Sequence, residues 1–475
     1  MHNDKESPFT LTLLDDDLSL QVVQFSGHEA LNQPYRFDIE VLGLAPALPL
    51  ERFLQQPVLL SLGHGPGIHG VLNSVSREHR GPRRVAYKLV LVPALQALDR
   101  YRSRRVFAHL SVPMILRQLL VEHDLPDSSY RFELPTGHYP LRPFCIQYDE
   151  TDLALLQRLC EEEGIHYHFE HYRDAHVLVF AEDCLSFPQE PLMMPFDSDA
   201  PDAGNPPTIS ELFQRHDAPS MSQRPDTRNR GAEGHDDRAA NHPFAQTMPP
   251  VPRPPIEQCH RDQLARRHLE RLRCQQVQIH GQSNHDQLRS ANIVQVAEHP
   301  RPGFNDQWLV TEVRHQGRQG SILASDTSDL LPRYRNQFTA IPWSTVFRPR
   351  FKQTRPSIPG YQLARVCGQV GQPTTLDERG LIQVSLWPAP DADPEDFEGL
   401  WIPIALAASD NRIDLSQLPL AGSDGLVSFL DGDADRPVFC ASQGEPHTPA
   451  PVRCREPRSD TRLLLDWLTK PTDTD

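Results

Sequence analysis

Long apolar runs are missing from this chain. No stretch approaches the ~20 residues that a helix needs to span a bilayer, so stable membrane insertion is not expected. The opening residues, MHNDKESPFTLTLLDDD, lack a positively charged start followed by an apolar core, which argues against a secretory leader. Paired cysteines are missing too. The eight are scattered singly, at Cys145, Cys160, Cys184, Cys259, Cys274, Cys367, Cys440 and Cys454. No Cys-x-x-Cys occurs, which disfavours zinc ribbons and thioredoxin-like chemistry and fits folding in a reducing cytoplasm. There is no His-Glu-x-x-His and no Gly-x-Ser-x-Gly elbow, so the two commonest local signatures of hydrolases are absent. HGPGIHG, at His64 to Gly70, is rich in glycine but lacks the trailing Lys-Ser/Thr of a phosphate loop, and reads as a hairpin turn. Excess positive charge is absent: the net charge is −16, whereas a protein that tracks phosphates usually carries a basic face. Nucleic acid is therefore not an expected partner.

What the chain does have is punctuation and alternation. Its 46 prolines mark many loops and edge strands, and its 475 residues suit about three domains. In PYRFDIEVLG, Tyr35, Phe37, Ile39 and Val41 alternate onto one face, the period-two signature of a half-buried strand. Similar segments separated by Gly-rich turns fill residues 9–93, as in a barrel or sandwich. Ser111 with Pro113 opens a helix carrying Ile115, Leu116, Leu119 and Leu120. Composition then shifts over 186–255 toward Pro, Asp, Arg, Gly and Asn, which reads as long loops within a second β domain. A helix with Leu264, His268 and Leu272 on one side and three more strands follow. The β, helix, β order thus recurs, weakly suggesting duplication at the level of fold. From Tyr361 five short strands make a small OB-type barrel plausible.

The densest information lies in FCIQYDETDLALLQRLCEEEGIHYHF, Phe144 to Phe169. It predicts a strand, a helix capped at Asp149 or Thr151, and a second strand after a stop at Gly164. Glu161, Glu162 and Glu163 crowd the negative end of the helix dipole, a cost of roughly 0.3–1 kcal/mol each when exposed. Either they are solvated, or basic groups of another segment or chain meet them, with the arginines around Arg104 as candidates. His166 and His168 share a face of the following strand, next to His171 and His176. They are either polar strand positions or two metal ligands lacking a third, which Glu161 to Glu163 could supply.

The same segment resembles the core of the VgrG family, the spike proteins of bacterial type VI secretion. The residues that carry the likeness are Gln147-Tyr148, Glu150-Thr151-Asp152, Arg158-Leu159 and Glu162-Glu163-Gly164-Ile165. FSGHEALNQPYRFDIEVL and RVFAHLSVPMILRQLL upstream, and YRNQFTAIPWSTVFRP, GYQLARVCG and LVSFLDGDADRPV downstream, look like the family's barrels and connections. The family's Gly-Arg-Val-Arg-Val strand is here Gly380-Leu381-Ile382-Gln383-Val384, and its Trp-Ile-Arg-Val is Trp401-Ile402-Pro403-Ile404.

The resemblance implies a mainly β fold with α+β insertions. A first hub barrel would occupy 1–100, a helix-containing α/β segment 101–185, and a second hub barrel with Pro-rich loops 186–345. An OB-type barrel at 346–445 and a tail at 446–475 would complete it. It implies a non-enzymatic structural spike or hub, without cofactor or metal, that assembles as a homotrimer on a hexameric tube protein. Baseplate components and PAAR-like tip, adaptor or effector proteins would be its partners. Such a protein resides in the bacterial cytoplasm within the apparatus, which exports it without a signal peptide. The chain ends before the family's β-helical needle, so the OB barrel or TRLLLDWL near the end is expected to meet a separate tip or adaptor. The alternatives are the hub of a phage tail or another contractile particle, and a cell-wall or metal-dependent hydrolase.

Overall fold

The computed structural model describes residues 8–16, 18–44, 48–63, 65–79, 84–198, 206–217, 258–319, 333–389, 399–405 and 418–443. The tail segment TRLLLDWL and the polar stretch RPDTRNRGAEGHDD lie outside the described residues. The chain divides into a unit of residues 1–358 with 432–436 and a unit of 359–431 with 437–475.

The first unit begins with six strands: β1 (Thr10–Leu13), β2 (Leu18–Ala30), β3 (Gln33–Leu44), β4 (Pro57–Ser61), β5 (Ile68–His79) and β6 (Arg84–Val92). Following hydrogen-bonded neighbours gives β1-β2-β3-β6-β5-β4 and back to β1, a closed barrel with all pairs antiparallel. Closure removes free edges at the seam. The alternation legible in the sequence fills the barrel, with Tyr35, Phe37, Ile39 and Val41 all at most 2% exposed, packed with Phe53, Tyr87 and Leu91.

An α/β segment follows. β7 (Arg102–Leu110) pairs with β9 (Arg142–Thr151), and β8 (Tyr130–Glu133), β10 (His166–His171) and β11 (His176–Ala181) form a small sheet. Helices α1 (Val112–Glu122) and α2 (Asp152–Glu163) share one core, built from Ile115, Leu116, Leu119 and Leu120 against Leu155, Leu156 and Leu159.

The second set of six strands comprises β12 (Leu192–Pro195), β13 (Ile209–His216), β14 (Val277–Ser283), β15 (Ile293–Ala297), β16 (Gln307–Arg318) and β17 (Arg333–Pro342), with helix α3 (Gln258–Gln276) entering before β14. Their neighbours run β12-β13-β14-β17-β16-β15, closing through a bridge between Phe196 and Ile209. This is the circular order of the first barrel, strand for strand. The registers agree as well. Val75 faces Leu89 as Val313 faces Phe338. Ile39 faces Leu89 as Gly281 faces Phe338, and Phe25 faces Ile39 as Leu212 faces Gly281. Bulges fall at matching places, after Leu72 and Val310 and after Val22 and Ile209. One strand departs: β12 runs parallel to β15, where β1 runs antiparallel to β4. The recurrence that the sequence only hints at is thus a duplicated barrel whose side chains have diverged while its hydrogen-bond ladder has not.

The two barrels join along one strand pair, β2 against β16, antiparallel from Gln24–Arg318 to Ala30–Glu312. His28 and Glu312 meet across it at 3.0 Å, and buried His315 bonds Glu29 at 2.7 Å.

The second unit, described by itself, has five strands: β18 (Tyr361–Val366), β19 (Leu381–Leu386), β20 (Leu400–Pro403), β21 (Asp424–Phe429) and β22 (Pro437–Gln443). They are ordered β20-β19-β18-β21-β22, and a parallel bridge between Ile404 and Phe439 joins the two outer strands.

Candidate functional site

The residues singled out in the sequence surround α2. Thr151 is the cap, its hydroxyl accepting from the Ala154 amide at 3.2 Å. Asp149, the other cap candidate, sits in β9 with φ +50° and pairs instead with Arg104 at 2.9 Å. Gln147 is fully buried; its amide donates to Asp152 (2.7 Å) and to the Glu150 carbonyl (3.1 Å), while Arg105 donates to its oxygen (2.7 Å). Asp152 also receives His123 at 2.8 Å and Arg105 at 2.9 Å. Burial alone would raise its pKa, but Gln147, His123 and Arg105 together hold it below the usual carboxylate range. Tyr148 lies under the Arg104 guanidinium, 4.7 Å away. Arg158 grips Glu150 (2.6 Å), Glu162 (3.2 Å) and the Ile146 carbonyl (3.1 Å). Leu159 and Ile165 are core residues, each 0% exposed.

At the other end of α2 the three carboxylates are met by groups from elsewhere in the same chain. Glu161 accepts the backbone amides of Lys352 (2.9 Å) and Gln353 (3.0 Å). Glu162 faces Arg142 (3.0 Å), Arg158 (3.2 Å) and Arg355 (3.3 Å). Burial pushes its pKa up, and the three arginines overcome this and bring it to about 2. Glu163 takes Arg142 (2.7 Å) and His260 (2.8 Å). Arg104 reaches none of them. The carbonyls that carry the helix's negative pole are also occupied: Arg271 donates to Glu161 O and Arg267 to Glu163 O, both at 2.6 Å, and Arg348 to Gly164 O at 2.9 Å. Arg267 closes the network on Glu182 at 2.6 Å. The adverse dipole is thus offset by buried cations.

These cations correct one reading of the sequence. The buried stripe of α3 is His260, Gln263, Arg267, Arg271 and Cys274, while Leu264, His268 and Leu272 lie to its side, half-buried. Apolar periodicity chose the wrong face because this helix packs against charge, not against a hydrophobic layer. A signal exists in hindsight: His260, Arg267 and Arg271 recur at 7 and 4 residues, spacings that share one face.

Gly164 stops α2 with φ +73°, and a Cβ there would lie 3.1 Å from the Arg267 side chain and 3.4 Å from that of Arg348. Gly164→Val should therefore lower stability by more than the ~1 kcal/mol expected of a left-handed glycine alone. The check is the urea midpoint, and Gly164→Asn should recover part of the loss.

His166 and His168 do share a face, their rings 6.3 Å apart. They point into a nest with Phe187, and His166 bonds Ser186 at 3.1 Å. Glu162 and Glu163 engage arginines and His260 instead, and Glu161 accepts two backbone amides. Among the described residues no three His, Cys, Asp or Glu side chains converge as a metal cage. What the α2 arrangement accomplishes is mechanical: one buried ion network ties β9, α2, α3 and the 348–355 segment together.

Residues 28–321 match the phage tail baseplate hub (GPD) family. Over 98% of its length the chain is 34% identical to a Pseudomonas aeruginosa type VI secretion system spike protein, VgrG4b, of which it covers 59%. It therefore spans about three fifths of such curated relatives. Among solved structures, the Escherichia coli c3393 protein, a component of the type VI secretion system similar to the T4 tail proteins gp27 and gp5, superposes with TM-score 0.66. That match is 23% identical and covers 89% of this chain and 96% of the other. A Francisella PdpA–VgrG complex gives TM-score 0.55 at 10% identity, over 94% of this chain and 79% of the other.

Proposed function

The chain belongs to the phage tail baseplate hub family, and from that premise we propose that it is the hub of a type VI secretion spike. In this reading three copies form a ring that caps a hexameric tube, helps puncture a target envelope and delivers effectors. The observation that carries it is the duplicated barrel. Two barrels of one topology per chain give three copies six similar surfaces, the number a hexameric ring presents. The role proposed is structural: the charge network around α2 holds segments of the chain together. The five-strand unit, with its neighbours in the order β18-β19-β20-β22-β21, is proposed as an OB-type barrel, and PAAR-like, adaptor or effector proteins are proposed as partners of the hub. The baseplate would hold the assembly in the bacterial cytoplasm until the apparatus exports it.

Sedimentation of the full chain together with its tube protein tests this. A trimer that retains the tube ring is expected; a monomer at every accessible concentration, with no tube binding, would overturn the reading. The family description also fits the hub of a phage tail or another contractile particle, and the genes flanking this one discriminate between them.

A further inference from the structure

β6, β3, β2, β16 and β17 are successive neighbours, so one sheet runs from the wall of the first barrel into the wall of the second. Leu89, Ile39, Phe25, Gly317 and Tyr334 lie in one row across it. They turn inward, toward the barrel cores. The residues on either side of them therefore face outward, because side chains alternate along a strand. These make two rows, Val90–Asp38–Ser26–Gln316–Arg335 and Lys88–Glu40–Gln24–Arg318–Arg333. Three consecutive residues from each of the five strands line an open groove of 660 Å³ over the junction. Four strand spacings make it about 19 Å wide.

Charge is divided along this groove. On the first barrel's side, Asp38 pairs with Arg36 at 2.8 Å, Glu40 accepts from the Gln24 amide at 2.7 Å, and Lys88 stands opposite Glu40. On the second barrel's side every charge is positive: Arg318, Arg333 and Arg335, all exposed. Arg318 lies directly opposite Arg333, and Arg335 follows two residues along on the same face. Like charges opposed across a strand pair are destabilising. Arg335 donates to the Gln316 side-chain oxygen at 2.9 Å, and among the described residues no carboxylate pairs with Arg318 or Arg335. The cluster stands in a chain of net charge −16, so it is not a by-product of a basic composition.

We propose that this groove binds an extended, carboxylate-rich segment of a partner protein, seated with its acidic end over β16 and β17. A guanidinium takes a carboxylate through two parallel N–H bonds, which gives geometry as well as attraction. The width of about 19 Å matches roughly six residues of extended chain. The division of charge sets the direction of the segment. Asp38 and Glu40 repel an acidic residue at the first barrel's end, where a neutral or basic residue fits. The same division disfavours nucleic acid, whose backbone is negative throughout. The two rings in the lining, Phe25 and Tyr334, turn inward and offer bases no face for stacking. The groove is complete within one chain, so this surface stands apart from the hub reading.

Fluorescence anisotropy with the full chain and a labelled hexapeptide, Ser-Gly-Ser-Glu-Asp-Glu, tests this. Saturable binding is expected in about 50 mM salt, weakened about tenfold or more in about 0.5 M salt. The double variant Arg318→Gln, Arg335→Gln should weaken it about tenfold as well, while Arg104→Gln, on a different strand pair, leaves it unchanged. The peptide Ser-Gly-Ser-Gln-Asn-Gln should not bind. Absence of saturable binding, equal weakening by Arg104→Gln, or tighter binding of a single-stranded thymidine hexanucleotide overturns the proposal. A second readout needs no ligand. Arg318→Gln relieves an opposed like charge, so its urea midpoint should exceed the parent's at low salt and match it at high salt. A lower midpoint at low salt would show Arg318 to be already compensated and would overturn the assignment. Each of these outcomes leaves the tube-binding test of the hub untouched.

Discussion

Replacing Arg267 with methionine should destabilise the first unit by about 3–5 kcal/mol, the range for removing one partner of a buried ion pair. Arg267 is 2% exposed and Glu182 also 2%. The guanidinium holds the Glu182 carboxylate, the Tyr139 hydroxyl at 3.1 Å and the Glu163 carbonyl. Methionine keeps most of the stem's packing but leaves the Glu182 carboxylate without its cation, held by Thr136, Gly137 and Tyr139 alone, and a bare carbonyl at the helix terminus. Lysine should not rescue it, since one ammonium cannot reproduce a fork that bridges two directions. The double replacement Arg267→Met, Glu182→Gln should recover a substantial part of the loss, because the stranded charge is gone. By contrast, Arg104→Ala removes an exposed pair with Asp149 and should leave the unfolding curve unchanged. Urea unfolding followed by far-UV dichroism measures all four variants. A loss below about 1 kcal/mol for Arg267→Met would mean that water reaches the network and that α2 is not anchored by it.

The contrast between Arg267 and Arg104 also shows what the sequence carried. Strand alternation in Tyr35 to Val41 and the apolar face of α1 were legible because hydrophobic burial writes its period directly into the chain. Gly164 was legible because a left-handed stop favours one residue type. The α2 glutamates were legible as an anomaly, a cost with no visible compensation. Their partners were not, because Arg142, His260, Arg355 and the amides of Lys352 and Gln353 lie up to 193 positions from Glu162, and charge pairing imposes no period. The same holds for α3, whose buried stripe is polar. The duplicated barrel was nearly invisible for a related reason: strand order and register are set by backbone bonds, which any side chain of suitable polarity satisfies, so Ile39 and Gly281 occupy one place in the ladder.

Acid should unfold this protein earlier than its carboxylates require. Four histidines of β10 and β11 are buried in neutral form. Burial, with an unfavourable contribution from His69, brings His176 to about 3. Burial likewise brings His168 to about 4, and holds His166 and His171 well below the ordinary value. Among the described residues neither ring nitrogen of His168 finds a hydrogen-bond partner, so a proton there would be buried without compensation. In the unfolded chain the same rings titrate near 6.5. The unfolded state therefore takes up protons first, and their contribution to stability, fully present above pH 6.5, is lost as pH falls toward 3–4. Each proton of difference gives a slope of about 1.4 kcal/mol per pH unit. His168 and His176 alone should thus remove several kcal/mol before Glu162, held at about 2, begins to protonate in the fold. Depressed carboxylates such as Glu162 and Glu163 add their own loss only below the usual carboxylate value, where the unfolded chain protonates and the fold does not. The two contributions separate by substitution. His168→Phe keeps an aromatic ring beside Phe187, removes two unsatisfied polar atoms, and should raise stability at pH 5 more than at pH 7.5. Urea midpoints at pH 7.5, 6, 5 and 4 decide the matter: a profile flat from 7.5 to 5 would show that these rings are hydrated in the fold, and a His168→Phe curve parallel to the parent's would remove that histidine as a cause.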